Sequence, residues 1–359
     1  MSNERRITYA ESIHEALDQS MEECPSVFVI GEGVPDPKGI FGTTLGLKEK
    51  YGKRVLDMPI SENGMTGVCI GAALTGMKPI LIHQRIDFSL MAIDQLINNA
   101  AKWHYMFGGQ SKVPLVIRLI IGRGWGQGAQ HSQNLQALFA HIPGLKVVMP
   151  STAYDAKGLL ISSIEDNNPV VFIEHRWLHN TSGLVPTEYY KVPIGKAKIV
   201  QEGNDLTIAT TSFMTIEAIR AAKFLKCAGI NPEIVDLRTL KPLDEGAIID
   251  SVKKTGRLLV LDLGYSTGGF AGEVIAGVVG KVFEKLKSAP KRITLPDIPT
   301  PTTLALTKHY YPTHVNIIKE VFRMLGHSEK KLNDFLLSNK IDGDLGSSDV
   351  PDKSFTGPF

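Results

Sequence analysis

The chain has 359 residues, 43% of them hydrophobic, and a formal net charge of +2 at pH 7. Its length suits two domains with separate cores, and the composition is ordinary for a globular protein. The sequence has no basic stripe that would favour nucleic acid and no acidic block that would favour a tail-binding partner.

The N-terminal segment is polar and then amphipathic, and it lacks the apolar core of a secretory signal. No apolar run is long enough to span a membrane. Cys24, Cys69 and Cys227 lie far apart and do not have the spacing of a metal site. We therefore expect a cytoplasmic protein with reduced cysteines, and we expect Cys69 to lie in the core.

Short apolar runs alternate with helical patterns along the first half of the sequence. Because these runs are continuously apolar rather than alternating, both faces of the sheet should be buried, as in parallel α/β domains. A helix is predicted to begin near Gly64 and another to cover residues 88–106. The predicted strands are SVFVIGEG, RVLDMP, KPILIHQ, VPLVIRLI, LKVVMP and PVVFIEH.

A stretch rich in turn residues, 176–205, interrupts this rhythm and predicts an interdomain linker. A second strand–helix series follows and ends near Gly326. After it, HSEKKLNDFLLSNK is a candidate helix, and the remaining residues have little to bury, so partial disorder is expected. The predicted division is a first domain at 1–180, a linker at 181–205, a second domain at 206–326 and an extension at 327–359.

The segment DMPISENGMTG, residues 57–67, places the carboxylate of Glu62 just before a run of small residues that predicts a buried helix. From the three letters SEN alone, an acid stabilised by the helix dipole is the favoured interpretation. A carboxyl at the start of a buried helix has a second use. Burial disfavours its charged form, so it can hold a proton near neutral pH.

Several long motifs in order carry a family resemblance from about residue 6 to residue 326. They resemble the β subunit of the thiamine-diphosphate-dependent 2-oxoacid dehydrogenases, the pyruvate, branched-chain and acetoin types. The resemblance implies an α/β fold of two doubly wound domains, one pyrimidine-binding and one like the transketolase C-terminal domain. The motifs are GEGVPDPKGIFGTTLGLKEKYGKRVLDMPISENGMTG, DFSLMAIDQLINNAAKWHYMFGGQSKVPLVIR, GQGAQHSQ, HIPGLKVVMPSTAYDAKGLLISSIEDNNPVVFIE and DLRTLKPLDEGAIIDSVKKTGRLLVLDLG.

The resemblance implies that Glu62 binds the aminopyrimidine ring of thiamine diphosphate. A carboxyl that shares its proton with the ring nitrogen favours the imino form of the exocyclic amine, and that imine is the base for the thiazolium proton. Phe88 aligns with the aromatic residue that packs against the same ring by offset stacking. Without the resemblance, Phe88 would be interpreted as an ordinary core residue.

His131, in GQGAQHSQ, corresponds to a histidine at the mouth of the active site in this family. The resemblance gives it a role in proton transfer or charge stabilisation during reaction with the 2-oxoacid and acyl transfer to lipoyl. The alternative is a loop histidine that binds a backbone carbonyl. The glycines in GRGWGQG favour the first interpretation, because glycine permits close approach to a ligand.

A potassium ion is a further implication of the resemblance, because backbone oxygens in this region hold a structural K⁺ in some relatives. Oxygen ligands suit a hard cation. A helix C-cap before a buried strand explains the segment SSIEDNNPVVF equally well, so both interpretations stay open. The positions concerned are Leu115, Ser163, Ile164, Asp166 and Asn168.

The family motif that holds Mg²⁺ on the cofactor diphosphate begins with Gly-Asp-Gly, and this sequence does not contain it. The resemblance therefore implies half an active site. The other half, with Mg²⁺, should come from a separate α subunit in a heterotetramer with two of each chain. A lipoyl acyltransferase core is a further candidate partner.

Two departures from the family pattern bear on the substrate. His83, Gln84 and Arg85 stand where many relatives carry more apolar residues, and Arg123 and Trp125 precede His131. If these side chains face the substrate channel, the 2-oxoacid or the acceptor is more polar than pyruvate. If they face the α subunit or solvent, they say nothing about the substrate.

The expected function is that of a catalytic β subunit that decarboxylates a pyruvate-like 2-oxoacid and passes the acyl group to lipoyl. One alternative is a family member diverted to biosynthesis, with an aldehyde or sugar as acceptor. Another is a non-catalytic paralogue that serves as an interaction subunit, although the presence of Glu62, Phe88 and His131 together argues against it. The sequence names neither the 2-oxoacid nor the acceptor.

Overall fold

The computed structural model describes residues 5–123 and 127–341, and Trp125 and the end of the extension lie outside these ranges. The strands are β1 (Arg6–Thr8), β2 (Val27–Gly31), β3 (Val55–Leu56), β4 (Lys78–His83), β5 (Val116–Ile121), β6 (Lys146–Val148), β7 (Val170–His175), β8 (Ser182–Leu184), β9 (Lys198–Gln201), β10 (Leu206–Thr210), β11 (Pro232–Asp236), β12 (Thr239–Lys241), β13 (Leu258–Tyr265) and β14 (Lys291–Leu295).

The helices alternate with these strands. They are α1 (Tyr9–Glu23), α2 (Leu47–Tyr51), α3 (Glu62–Leu74), α4 (Ala101–Met106), α5 (Gln136–His141), α6 (Ala153–Glu165), α7 (Phe213–Cys227), α8 (Glu245–Thr255), α9 (Phe270–Val282), α10 (Leu304–Thr307), α11 (His314–Met324) and α12 (Glu329–Ser338). Short 3₁₀ turns cover Gly52–Arg54, Ile86–Ala92, Arg176–Leu178 and Phe283–Lys285, and a π-helical segment covers Gln95–Ala100.

The first domain is built on a sheet that contains seven of the described strands in the order β12-β6-β7-β5-β4-β2-β3. Neighbours from β6 to β3 run parallel, and β12 pairs with β6 antiparallel. Strands β2, β5 and β7 are buried along their whole length. The prediction of a doubly wound parallel domain from continuously apolar runs is therefore confirmed.

The second domain has a sheet of five described strands in the order β14-β13-β10-β11-β9. Strands β10, β11, β13 and β14 are parallel, and β9 pairs antiparallel with β11. Strand β12 leaves this domain and completes the edge of the first sheet. The two domains therefore share backbone hydrogen bonds, which the sequence analysis did not foresee.

The predicted linker contributes to both domains. Within it, β8 pairs with β1 at the N-terminus and β9 pairs with β11 of the second sheet. Short antiparallel edge strands carry a weak sequence signal, since much of their stability comes from the partner strand. The extension begins with α12, as its amphipathic pattern suggested, and residues 342–359 lie outside the described part of the chain.

Helix α3 differs from its prediction. Thr66, Cys69, Ile70 and Ala73 are buried, but the Val68 side chain is 57% exposed in this chain, and Asn63, Gly64 and Gly71 are also exposed. The uniformly small and apolar pattern gave no sign of two different faces. The helix is therefore buried on one side only, and its other side is exposed in this chain.

The segment predicted as one helix at 88–106 is irregular at its start. It begins as the 3₁₀ turn Ile86–Ala92, continues as the π-helical segment Gln95–Ala100 and becomes α-helical only at α4. Cys69 lies in the core as expected, and the three cysteines, all within the described ranges, are unpaired. Across residues 5–123 and 127–341, no helix is both long and apolar enough to cross a membrane.

Candidate active site

The candidate site lies at the carboxyl ends of parallel strands in the first domain. Strand β2 lies between β3 and β4, so the chain leaves β2 in one direction and returns on its other side. Ligands of open α/β sheets bind at such a switch point. Glu32 follows β2, Asp57 follows β3, and Phe88 lies in the turn after β4. His131 lies in the loop after β5.

Three carboxylates meet at this edge of the sheet. Burial, and then the charges of Glu62 and Asp57, raise the pKa of Glu32. The Glu32 Oε1 atom is buried and has no hydrogen-bond partner among the described residues. Asp57 Oδ1 accepts hydrogen bonds from the backbone N of Gly33 at 2.9 Å and of Met58 at 3.0 Å. The acidic neighbours of Glu32 therefore favour its protonated form.

Sequence reasoning missed Glu32 and Asp57 as site residues. Each follows directly after a buried parallel strand, and that position was the available signal, because the carboxyl ends of parallel strands meet at one edge. Gln84 also belongs here, since its Nε2 donates to the backbone oxygen of Glu32 at 2.9 Å. That bond fixes the main chain of the Glu32 turn beside β4.

Glu62 is the first residue of α3 and is half-buried in this chain. Its backbone oxygen accepts a hydrogen bond from Thr66 Oγ1 at 2.7 Å. Its position at a helix N-terminus is the one expected for the dipole-stabilised acid of the sequence analysis. The same position brings the charge of Glu62 close enough to Glu32 to raise the pKa of Glu32, so the cofactor interpretation and the dipole interpretation share one geometry.

Phe88 and His131 come together although 43 positions separate them. Their ring centroids are 5.4 Å apart, and the rings are almost perpendicular, at 89°. Phe88 is half-buried, and His131 is exposed at the rim. An edge-to-face contact of this kind is favourable because the positive edge of one ring meets the negative face of the other. The predicted pyrimidine neighbour and the predicted acid–base residue therefore lie side by side at this edge of the sheet.

The polar departures from the family pattern do not line an open channel. His83, Arg85 and Arg123 are buried within this chain. Arg85 Nη1 donates to the backbone oxygen of Gly122 at 2.8 Å, and the guanidinium lies over the Phe41 ring. Burial lowers the pKa of Arg85 to about 10. Both sequence-based interpretations, a substrate channel and an outer surface, are wrong for these three side chains.

The five predicted potassium positions surround one turn between α6 and β7 and the start of β5. The Leu115 oxygen accepts from the backbone N of Val170 at 2.9 Å, and the Ser163 oxygen from that of Asp166 at 3.3 Å. Asp166 also binds Asn168 Nδ2 at 2.8 Å and forms an ion pair with Lys146. Ile164 is buried beside them. A carbonyl oxygen has two lone pairs, so these contacts leave the potassium site a prediction.

Within the described part of the chain, no group of three or more His, Cys, Asp and Glu side chains is arranged to hold a metal ion. Several large apolar side chains are exposed on the segment before α3, on α3, and on the stretch from the turn after β4 to the end of α4. Exposed side chains of this size on a folded domain mark interaction surfaces when they are contiguous. They are Ile60, Val68, Met91, Tyr105, Met106 and Phe107.

Comparisons with known proteins identify both domains. Residues 5–181 match the family described as transketolase, pyrimidine binding domain, and residues 195–317 match transketolase, C-terminal domain. The chain is 44% identical to the acetoin:2,6-dichlorophenolindophenol oxidoreductase subunit beta of Cupriavidus necator, over 87% of this chain and 96% of that one.

Two further comparisons extend this result. The chain is 41% identical to the pyruvate dehydrogenase E1 component subunit beta of Rickettsia bellii, over 88% of this chain and 98% of that one. Among solved structures, a split gene transketolase described as an inactive beta4 tetramer superposes with a TM-score of 0.74 at 22% identity, covering 89% of this chain and 99% of that one. At that identity the structural likeness shows the fold alone.

Proposed function

The chain belongs to the transketolase-like family that contains the β subunits of pyruvate and acetoin dehydrogenases, and from that premise we propose that it decarboxylates a 2-oxoacid together with an α chain and passes the acyl group to lipoyl. The observation that supports the proposal is the contact between Phe88 and His131 at the edge of the first sheet where α3 begins with Glu62. The proposal assigns to this chain the pyrimidine half of a thiamine diphosphate site.

The donor set fits that half of the cofactor. Phe88 offers a half-buried aromatic ring for a flat heterocycle. The Glu32 Oε1 atom is buried and has no hydrogen-bond partner among the described residues. Burial and the charges of Glu62 and Asp57 raise the pKa of Glu32, which favours its protonated form. When bound, thiamine diphosphate supplies the carbon nucleophile for the substrate carbonyl. Glu62 holds a proton at the pyrimidine nitrogen, and Phe88 holds the ring in place.

We assign His131 to the end of the proposed cofactor site where the substrate arrives. Its imidazole is exposed at the rim, where a substrate or an acyl acceptor arrives. Imidazole changes its charge near neutral pH, so one residue can donate a proton in one step and accept a proton in another. The contact with Phe88 limits the ring to one side of the recess. His131 therefore moves protons or stabilises charge at the substrate oxygen.

The α subunit supplies the diphosphate half of the cofactor site. Mg²⁺ bridges a diphosphate through a few well-placed carboxyl and amide oxygens, and we assign those ligands to the α chain. The exposed apolar side chains around α3 and α4 offer a surface for it. Obligate interfaces are large and apolar. The assembly proposed is a heterotetramer with two of each chain, on which a lipoyl acyltransferase core docks.

Acetoin is a second candidate substrate. It is a hydroxyketone that the same cofactor chemistry can cleave, and one of the relatives is named for it. The buried positions of Arg85 and Arg123 remove the reason to expect a more polar substrate.

The test is reconstitution of this chain with its cognate α chain, identified by co-purification and mass spectrometry. The complex is supplied with thiamine diphosphate and Mg²⁺ and assayed with pyruvate, branched-chain 2-oxoacids and acetoin. Reduction of 2,6-dichlorophenolindophenol reports cleavage, and acylation of a lipoyl domain reports transfer. Activity with a 2-oxoacid in both assays supports the proposal. Cleavage of acetoin alone selects the second candidate, and acyl transfer to an aldehyde or sugar contradicts the lipoyl step.

A further inference from the structure

The carboxylate of Asp87, which was not predicted as a site residue, binds the loop that carries His131. Asp87 Oδ1 accepts hydrogen bonds from Gln133 Nε2 at 2.8 Å and from the Gln133 backbone N at 3.4 Å. Asp87 is 8% exposed and directly precedes Phe88. The turn after β4 therefore binds the loop after β5 through side chain and main chain together.

Two contacts join the same two segments side by side. Phe88 meets His131 ring to ring, and Asp87 meets Gln133 by hydrogen bonds. Asp87 and Phe88 are adjacent on one segment, and the residues that they contact, Gln133 and His131, lie two positions apart on the other. These two contacts together therefore fix both the position and the direction of the loop at His131. A single ring contact leaves the loop free to rotate about it.

The other side of the loop is held by the second domain. Thr300 Oγ1 donates to the backbone oxygen of Ser132 at 3.3 Å, which is long for a hydroxyl donor. Asn134 Nδ2 reaches the same oxygen at 3.4 Å. These contacts are weaker than the bond from Gln133 Nε2 to a carboxylate, because charge-assisted hydrogen bonds are shorter and stronger. Asp87 is therefore one of two charge-assisted anchors of the loop; the other is Arg123, whose Nε donates to the backbone oxygen of Gln127 at 2.6 Å.

We propose that Asp87 is a positioning residue that keeps His131 in place beside the cofactor recess by binding Gln133. The inference rests on the proposed function, which gives His131 its chemical role. As a positioning residue, Asp87 touches neither substrate nor cofactor and acts only through the loop. A loop displaced by about 1 Å at a reacting group costs on the order of 10²-fold in rate.

Asp87→Asn and Asp87→Ala separate positioning from charge. The Asp87 Oδ2 atom has no hydrogen-bond partner among the described residues, so replacing it with NH₂ breaks no bond there. Asparagine keeps one oxygen for Gln133, whereas alanine removes both. We therefore expect Asp87→Ala to lower kcat by roughly 10²-fold and Asp87→Asn to restore most of that loss. Gln133→Ala removes the same hydrogen bond from its other end.

The experiment uses the reconstituted complex with its α chain. It measures kcat, KM and thiamine diphosphate affinity for wild type, Asp87→Ala, Asp87→Asn, Gln133→Ala, His131→Ala and the double variant of Asp87→Ala with His131→Ala. Asp250→Ala is the control, since Asp250 is an exposed acid on α8. We expect kcat to fall in Asp87→Ala with cofactor affinity unchanged. Adding Asp87→Ala to His131→Ala should cause no further loss.

Hydrogen–deuterium exchange of the 127–135 peptide is measured on the same samples and does not depend on activity. Faster exchange in Asp87→Ala, restored in Asp87→Asn, supports the positioning role even if the complex proves inactive with every substrate of the proposed function. Unchanged exchange overturns the proposal. So does an undiminished effect of Asp87→Ala in the His131→Ala background, or an equal loss of cofactor affinity.

Discussion

The rings of Phe88 and His131 meet edge to face, with centroids 5.4 Å apart. This contact ties the turn after β4 to the loop after β5, two segments that the sheet brings side by side through the parallel pairing of β4 with β5. The imidazole is exposed, while the phenyl ring is half-buried. The residue proposed to bind the cofactor ring and the residue proposed to handle the substrate proton therefore lie in direct contact.

Replacing Glu62 by glutamine should nearly abolish exchange of the thiazolium proton in the reconstituted complex and leave the fold intact. The amide has almost the same shape as the carboxyl but cannot share a proton with the pyrimidine nitrogen in the same way. The measurement is exchange of that proton followed by NMR after quenching. Glu49→Gln, an exposed acid on α2, is the matched control. Exchange at the wild-type rate in Glu62→Gln would contradict the assignment.

Replacing His131 by alanine should lower turnover by roughly 10²–10⁴-fold, the loss expected for a positioned acid or base. Cofactor affinity should stay close to wild type, because the imidazole lies at the exposed rim of the recess. Steady-state kinetics and calorimetric titration of thiamine diphosphate check the two parts separately. His309→Ala, an exposed histidine of the second domain, serves as control. Normal turnover with lost cofactor binding would reverse the role given to His131.

The purified chain alone should bind thiamine diphosphate with Mg²⁺ weakly or not at all. Most affinity for this charged cofactor should come from the metal-bridged diphosphate, which the proposal assigns to the α chain. Calorimetric titration of the lone chain, and then of its mixture with the α chain, gives the comparison. Tight, Mg²⁺-dependent binding should appear only in the mixture. Tight binding by the lone chain would reveal a phosphate site within it.

The buried ion pair between Arg118 and Glu174 should be important for stability. Both side chains are fully buried, and Arg118 Nε lies 2.5 Å from Glu174 Oε1. Burial alone raises the pKa of Glu174, but Arg118 and His179 outweigh it and lower the value to about 2. Arg118→Met leaves the carboxylate uncompensated, so unfolding free energy should fall by about 3–5 kcal/mol. Chemical denaturation measures this loss.

The matched double variant, Arg118→Met with Glu174→Gln, should recover part of that stability, because it removes the unpaired charge as well. A loss below about 1 kcal/mol in Arg118→Met, the range of exposed ion pairs, would show that the pair is not desolvated as the structure has it. Recovery that is absent in the double variant would show that packing of Arg118, rather than charge, is what matters.

Asp236 should make the protein less stable as the pH rises through neutrality. It is fully buried, and burial followed by the charge of Asp155 raises its pKa from 3.8 to about 7. The folded state thus keeps a proton that the unfolded state loses at lower pH, so the contribution of Asp236 to stability is full below about pH 4 and is lost as the pH rises through about 7. Asp236→Asn should stabilise the protein at pH 8 by a few kcal/mol, at about 1.4 kcal/mol per pKa unit.

Thermal unfolding of wild type and Asp236→Asn at pH 5 and pH 8 measures this effect. The gain from the substitution should be larger at pH 8. The exposed Asp250→Asn variant should show no such difference, since its side chain is 82% exposed. An equal effect of Asp236→Asn at both pH values would mean that Asp236 is already ionised in the folded protein at pH 5.

Strand β12, which the second domain contributes to the first sheet, was not predicted from the sequence. β12 is short, and its pairing with β6 joins residues about 90 positions apart along the chain. Local apolar patterning reports burial and period, and these are properties of one segment at a time. A three-residue edge strand therefore carries no signal of its partner, and neither β8 nor β9 was foreseen in the linker for the same reason.

The sequence by itself determined the two parallel α/β domains, because continuously apolar strands between helical patterns have few other ways to bury both faces. Its motifs also carried the resemblance that singled out Glu62, Phe88 and His131. Only the tertiary structure decided that Glu62 and Asp57 lie near Glu32, that Arg85 is buried, and that Asp87 binds the His131 loop. Such contacts join strand ends that are distant in sequence, and their distances depend on sheet order and packing, which local composition does not encode.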